Sequence, residues 1–70
     1  MTRTDKLIRA SEIRQALNDS AYGRSGRNVY AMSQSLEWQR IVAVRIRRET
    51  ITGKSLNTGK WFQIAQWEER

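Results

Sequence analysis

Apolar residues near the N-terminus recur at the spacing of an amphipathic helix. They are Leu7, Ile8, Ile13, Ala16 and Leu17. One helix over 4–18 would place Ile13, Ala16 and Leu17 on a shared face. Alternatively, Ser11 is an N-cap with Glu12 in the following turn, which makes 11–18 a separate short helix. We favour the second arrangement, in which a brief helix precedes another that ends at the polar segment 18–20.

A further helical pattern covers 26–37. Val29, Met32 and Leu36 lie at positions i, i+3 and i+7, so a helix here would bury them on one face. Its other faces would expose Arg27, Asn28, Tyr30, Gln34 and Ser35. Ser25 is the candidate N-cap, and the free backbone N–H groups behind it would form a site for phosphate.

The pattern changes to a period of two over 38–48, which indicates a half-buried strand. Trp38, Val42, Val44 and Ile46 share one side of it, and Ala43, Arg45 and Arg47 share the other. A second predicted strand covers 61–67. We expect its Phe62 and Ile64 to pack on the apolar side of the first strand.

This packing would leave Trp61 beside Arg45 or Arg47, where stacking or a cation–π contact can form. Between the strands, 49–59 is rich in turn-forming residues and too long for a tight hairpin turn. The sequence therefore predicts a projecting loop between two long strands, and a solvated tail over 68–70.

The composition limits the chemistry that the chain can perform. Its 70 residues form one small domain, 1–70, without Cys or His. A disulfide framework, a thiolate metal site and a histidine base are therefore excluded. No pair of carboxylates has the arrangement needed for acid–base catalysis. We expect no enzymatic activity, no cofactor and no metal.

Positive charge is concentrated in one part of the chain. The whole sequence has 13 Lys and Arg against 7 Asp and Glu, a net charge of +6. Between Arg24 and Lys60 there are eight bases and two acids, whereas bases and acids balance in the two ends. This clustering is typical of a protein that binds a polyanion, although basic residues also serve to keep small domains in solution.

No apolar run approaches the roughly 20 residues of a membrane span, and the N-terminus lacks the apolar stretch of a signal peptide. We therefore expect a cytoplasmic protein, in a bacterium or a host cell, without a membrane partner.

The order of short helix, helix, strand, long loop and strand resembles a winged helix-turn-helix domain. The segments ASEIRQAL (10–17), GRNVYAM (26–32) and SLEWQR (35–40) are similar to the winged-helix domains of phage and plasmid primase-helicases and of small phage regulators. The chain departs from that family at Glu37, where a Gly is usual, and in its shorter first helix. The resemblance implies an α+β fold with two or three short helices followed by a long β-hairpin.

The resemblance also implies a function in transcription regulation, replication or excision in a phage or mobile element. A recognition helix over 26–37 would enter the major groove of double-stranded DNA, and a basic wing over 39–67 would contact phosphates. The base-reading candidates are Arg27, Asn28, Tyr30 and Gln34. The phosphate-binding candidates are Arg24, Arg45, Arg47, Arg48, Lys54 and Lys60. A homodimer or multimer would increase the number of base contacts.

A different class of function is a small α+β inhibitor or adaptor of the phage type. Such a protein would bind a host protein, for example a nucleic-acid-processing enzyme, through the hairpin edge or through Trp61 and Trp67.

Overall fold

One helix precedes five antiparallel strands in the computed structural model, which describes residues 3–34 and 37–70. The elements are α1 (Arg3–Ala21), β1 (Val29–Met32), β2 (Trp38–Arg47), β3 (Thr50–Ser55), β4 (Trp61–Gln63) and β5 (Gln66–Glu69). The strands form a single sheet in the order β4-β3-β2-β1-β5. The predicted winged helix is therefore wrong, because most of the chain after α1 is a sheet.

Helix α1 is continuous over 19 residues, so the predicted break at Ser11 is wrong and the single-helix alternative is right. Ala10, Ile13 and Ala16 are buried at intervals of three residues, and this stripe packs on the sheet. Ser11 lies exposed within the helix and is not its N-cap.

The helix ends in a Schellman motif rather than at 18–20. The N–H of Gly23 bonds to the carbonyl of Ser20 at 3.1 Å, and the N–H of Arg24 bonds to the carbonyl of Asp19 at 2.8 Å. Gly23 has a φ of 71°, which a residue without a Cβ adopts at little cost. The chain then reverses towards β1.

The predicted recognition helix is replaced by strand β1. Val29 and Ala31 are 1% and 0% exposed, which is the period of two of a strand and not the period of a helix. β1 pairs with β2 on one side and with β5 on the other, so its backbone is bonded along both edges. This tertiary pairing outweighs the helical spacing of Val29 and Met32. Leu36, the last residue of that pattern, lies outside the described residues.

The predicted loop over 49–59 is also wrong, because β3 occupies half of it. β2 and β3 are joined by a two-residue turn at Arg48 and Glu49, which have φ angles of 51° and 64°. Two successive positive φ angles define a type I′ turn, whose twist matches that of the flanking strands. Thr50 closes the turn by donating its hydroxyl to the carbonyl of Arg47 at 2.6 Å.

A β-bulge in β2 changes which side chains face the core. The register between β2 and β3 shifts between Ile41 and Ala43. Ile41 and Val44 are buried, whereas Val42 is 47% exposed. The sequence placed Val42 in the core with Val44, because strict alternation does not allow for an inserted residue.

The sheet curls so that the last segment of the chain joins its two edges. β4 pairs with β3, and β5 pairs with β1. The linking residues continue both ladders: Ile64 N–H bonds to the carbonyl of Ile51 at 2.9 Å, and Ala65 N–H bonds to the carbonyl of Met32 at 2.8 Å. One extended segment therefore joins the two edge ladders at residues 64 and 65 and partly closes the sheet, while β4 and β5 remain its outermost strands.

The core lies between α1 and the concave side of this sheet. Ile13 from the helix packs in one cluster with residues from β1, β2, β3 and the link between β4 and β5, namely Val29, Ala31, Ile41, Val44, Ile51 and Ile64. Phe62 and Trp67 pack against the cluster while remaining partly exposed. The convex side is consequently available for polar and charged groups.

Candidate nucleic-acid interface

The convex side of strands β2, β3 and β4 presents a basic and aromatic surface. The ladders place Arg45 opposite Thr52, Thr52 opposite Gln63, and Lys54 opposite Trp61. Side chains of alternate residues stand on the same side of a strand, so these groups share one surface with Arg47. We call it the Arg45–Trp61 face, consisting of Arg45, Arg47, Thr52, Lys54, Trp61 and Gln63.

Burial supports this assignment of sides. On the other side of the same strands, Val44, Ile51 and Gly53 are buried, and Ile46 and Phe62 are half-buried. Gly53 has no alternative, since a Cβ built there would lie 2.9 Å from Cδ1 of Ile64 and 3.1 Å from Cγ2 of Ile41. The close approach of Ile64 fixes β4 against β3 and so positions Trp61 on the convex side.

The centre of the face is a contact between a guanidinium group and an indole ring. The Cζ atom of Arg45 lies 4.0 Å from the ring centroid of Trp61, which is a cation–π geometry. Trp61 was predicted to lie beside Arg45 or Arg47, and the structure has it on Arg45. Trp61 is still 37% exposed, so part of the residue remains accessible to a ligand. Thr52 donates its hydroxyl to the carbonyl of Arg45 at 3.2 Å and stiffens this part of the hairpin.

No acidic residue occurs in β2, β3 or β4. Among the side chains that the structure describes, 7–34 and 37–70, the ion pairs join Arg24 to Asp19 and Arg70 to Glu68. The cations of the Arg45–Trp61 face therefore have no carboxylate partner in the described chain. An unneutralised group of positive charges attracts polyanions, and the attraction weakens as salt screens it.

The predicted phosphate-binding residues fall into two groups. Arg45, Arg47 and Lys54 lie on the face, Arg48 lies in the adjoining hairpin turn, and Lys60 immediately precedes β4. Arg24 lies elsewhere, on the loop after α1, with its guanidinium 3.8 Å from the carboxylate of Asp19.

The predicted base-reading residues do not form one surface of a helix. Arg27 is exposed in the loop before β1, and Gln34 is exposed beyond its end. Asn28 pairs through its backbone with Arg70, and its side-chain oxygen accepts a hydrogen bond from the hydroxyl of Ser20 at 3.4 Å. Tyr30 is half-buried in β1, opposite Arg40.

A second arginine–aromatic cluster involves the end of the described chain. The Cζ atom of Arg70 lies 4.8 Å from the ring centroid of Tyr30 and 5.2 Å from that of Trp38. Glu68 accepts a hydrogen bond from the same guanidinium. The prediction of a solvated tail over 68–70 is wrong, because this segment belongs to β5 and its ladder. Pairing that depends on residues about 40 positions apart left no local signal.

Within the described residues, no group of three or more Asp or Glu side chains could hold a metal ion. In the same part of the chain, no helix combines the length and the apolar character that a membrane crossing requires.

No family model, curated protein or solved structure matches this chain. The resemblance to winged-helix domains thus has no support from these comparisons, and the fold differs from the one that it implied.

Proposed function

We propose that the chain binds single-stranded nucleic acid on the Arg45–Trp61 face. The observation that supports this proposal most strongly is an exposed tryptophan held by an arginine on a surface without acids. Proteins that bind single strands combine cations that follow the phosphates with aromatic rings on which bases stack. Both components occur here on neighbouring strands.

Each part of the face has a role in this mode of binding. Arg45, Arg47 and Lys54 contact phosphates, while a base stacks on the part of the Trp61 ring that Arg45 leaves open. Gln63 lies two positions after Trp61 on β4, on the same side of the strand. Its amide group offers hydrogen-bond donors and an acceptor to a base edge. Because stacking accepts any base, the binding has little sequence preference.

The fold argues against reading duplex DNA by groove insertion. Residues 29–32 form a central strand of the sheet, so the proposed recognition helix does not exist there. The exposed side of α1 has mixed charge, with Glu12 beside Arg14 and with Asp19 near its end. Duplex binding remains as the comparison arm of the test.

The test is a fluorescence anisotropy titration with a labelled 12-nucleotide single strand, DNA or RNA, and with the matching duplex, over a series of salt concentrations. We expect tighter binding to the single strand and a log–log salt slope of about −2, because three contacts each contribute about −0.7. Equal or stronger binding to the duplex, or no binding at low salt, would contradict the proposal.

The chain supplies a matched control for the stacking contact. Tyr22 also lies beneath an arginine, with Cζ of Arg24 at 5.3 Å from its ring centroid, and it is 71% exposed. Trp61→Ala should weaken binding roughly 5- to 150-fold, equivalent to about 1–3 kcal/mol, with the salt slope unchanged. Tyr22→Ala should leave the affinity unchanged. Equal losses in both variants would mean that any exposed aromatic ring suffices.

The adaptor function predicted from the sequence stays a prediction. It would be favoured if the chain retained a defined host protein from a nuclease-treated lysate and bound neither form of nucleic acid.

A further inference from the structure

The closing segment of the sheet leaves two strand edges without a partner in the described chain. The residues that flank β4 are bonded to β3: the carbonyl of Lys60 accepts from the N–H of Ser55, and the N–H of Ile64 donates to the carbonyl of Ile51, at 2.9 Å each. Peptide groups alternate in direction along an antiparallel strand, so those of Trp61 and Gln63 point away from β3.

The same alternation applies to β5. Asn28 and Arg70 exchange two hydrogen bonds of 2.7 and 2.9 Å, which makes them a hydrogen-bonded pair. Trp67 and Glu69 occupy the intervening positions, and their peptide groups point away from β1. The two outermost strands of the sheet thus each present unpaired backbone donors and acceptors, which is a template for pairing with another strand.

These two edges have opposite charge. Lys60 precedes β4, and Lys54 stands beside Trp61 on the neighbouring strand. β5 contains Glu68 and Glu69. Arg70, the next residue, pairs with Glu68, so Glu69 is the charge of this edge that has no ion pair in the described chain.

The acidic character of the β5 side is strengthened by α1. A groove between the helix and β5 is lined by three acidic residues, Glu12, Asp19 and Glu69, of which Asp19 is paired with Arg24. Its other lining residues are Trp67, Ser11, Gln15 and Ala16. An incoming strand that carries lysine at its start would meet opposite charge along this groove. A strand with the charge of β5 itself would be repelled.

We propose that the β4 edge of one copy pairs with the β5 edge of a second copy, head to tail. Two β4 edges or two β5 edges would instead bring like charges together. In a head-to-tail contact each copy keeps one edge of each kind free, so association continues into a ring or a chain. Pairing through the backbone leaves side chains perpendicular to the sheet, so the Arg45–Trp61 face stays exposed.

The contact involves short strands of three and four residues, and its affinity is correspondingly low. Sedimentation velocity of the full chain at rising protein concentration, in low and in high salt, measures it directly. We expect the mean mass to rise with concentration beyond that of a dimer and to fall in high salt. A monomer at every concentration in low salt would overturn the proposal.

Proline variants block one edge at a time. Gln63→Pro and Glu69→Pro each remove an outward N–H without breaking a bond to the neighbouring strand. Each variant alone should stay monomeric, because every copy then has the same edge blocked and the β4–β5 contact cannot form. An equimolar mixture should give a 1:1 dimer, since the Gln63→Pro copy offers β5 and the Glu69→Pro copy offers β4. Gln63→Ala and Glu69→Ala keep the N–H group and serve as controls.

Two copies of the same proline variant cannot pair head to tail, because the contact needs one free β4 edge and one free β5 edge. Association of either variant alone at the wild-type level would therefore overturn the proposal. So would a mixture that remains monomeric while circular dichroism shows both variants folded. If a proline variant is unfolded, the charges provide the test. Lys60→Glu and Glu69→Lys should each weaken association about tenfold, and the double variant should recover it. Failure of the double variant to recover would contradict the charge pairing.

Discussion

Gly53→Ala tests the closure of the sheet, on which the position of Trp61 depends. An added Cβ would lie 2.9 Å from Cδ1 and 3.3 Å from Cγ1 of Ile64, and 3.1 Å from Cγ2 of Ile41. All three atoms belong to buried side chains, so they have little space in which to move. Overpacking of this kind costs about 1–2 kcal/mol. Each kcal/mol lowers Tm by roughly 4–8 °C in a domain of this size.

The contact with Ile64 can be isolated in a double-mutant cycle measured by thermal or urea unfolding. Ile64→Val removes Cδ1 and costs about 0.5–1.5 kcal/mol by itself. In the Gly53→Ala background, Ile64→Val should leave the free energy of unfolding almost unchanged, because it also removes the 2.9 Å contact between Cδ1 and the added Cβ. Gly59→Ala is the control, since Gly59 has a φ of 70° and no atom within 4 Å of its added Cβ. Its cost should add to that of Ile64→Val. A Gly53→Ala protein as stable as the wild type would refute the close crossing of Ile64.

Three further variants test other parts of the fold by unfolding. Ile13→Ala should lower the free energy of unfolding by about 2–5 kcal/mol, because Ile13 is 0% exposed on the side of α1 that packs on the sheet. Leu7→Ala, at a 55% exposed position of the same helix, should lower it by less than about 0.5 kcal/mol. Equal costs would mean that the helix is not docked by this stripe. Replacing Arg48-Glu49 by Asn-Gly should raise the free energy of unfolding by about 1 kcal/mol, because Asn and Gly adopt the positive φ angles of this turn at lower cost. A loss of stability would argue against a type I′ turn. Ser55→Ala should cost about 1–2 kcal/mol, because the buried hydroxyl accepts the N–H of Thr58 at 3.3 Å, and no loss would show that water replaces it.

Sequence reasoning succeeded where one residue pattern allowed one structure. The alternation of Val44, Arg45, Ile46 and Arg47 predicted a strand with a basic side, and β2 has that arrangement. The same alternation in the last strand led to the contact between Trp61 and Arg45. Each alternation is a local pattern, although the contact itself forms across β3.

The errors arose where distant residues decide the local conformation. The segment 29–32 is too short for its spacing to distinguish helix from strand, and pairing with β2 and β5 settles the choice. β3 contains Thr, Gly, Lys and Ser, a composition typical of loops, but Gly53 is needed for the approach of Ile64. The turn at Arg48 and Glu49 lacks the Asn or Gly that usually marks positive φ angles.

The candidate site was predicted in part for the same reason. Arg45, Arg47 and Lys54 were identified from charge alone, and they lie together on the face because β2 and β3 form a hairpin. Thr52 and Gln63 were missed, since their membership depends on the register between strands. Asn28 and Tyr30 were selected for a helix surface, whereas Asn28 immediately precedes a paired strand and Tyr30 lies within it.

The most direct measurement of where nucleic acid binds is an amide chemical-shift titration of the ¹⁵N-labelled chain with a short single-stranded oligonucleotide. The proposed function predicts that the largest shifts cluster on β2, β3 and β4, at Arg45, Thr52 and Trp61, with the indole N–H of Trp61 among them. Largest shifts at the exposed side of α1 or in the loop around Arg27, with Trp61 unaffected, would contradict it.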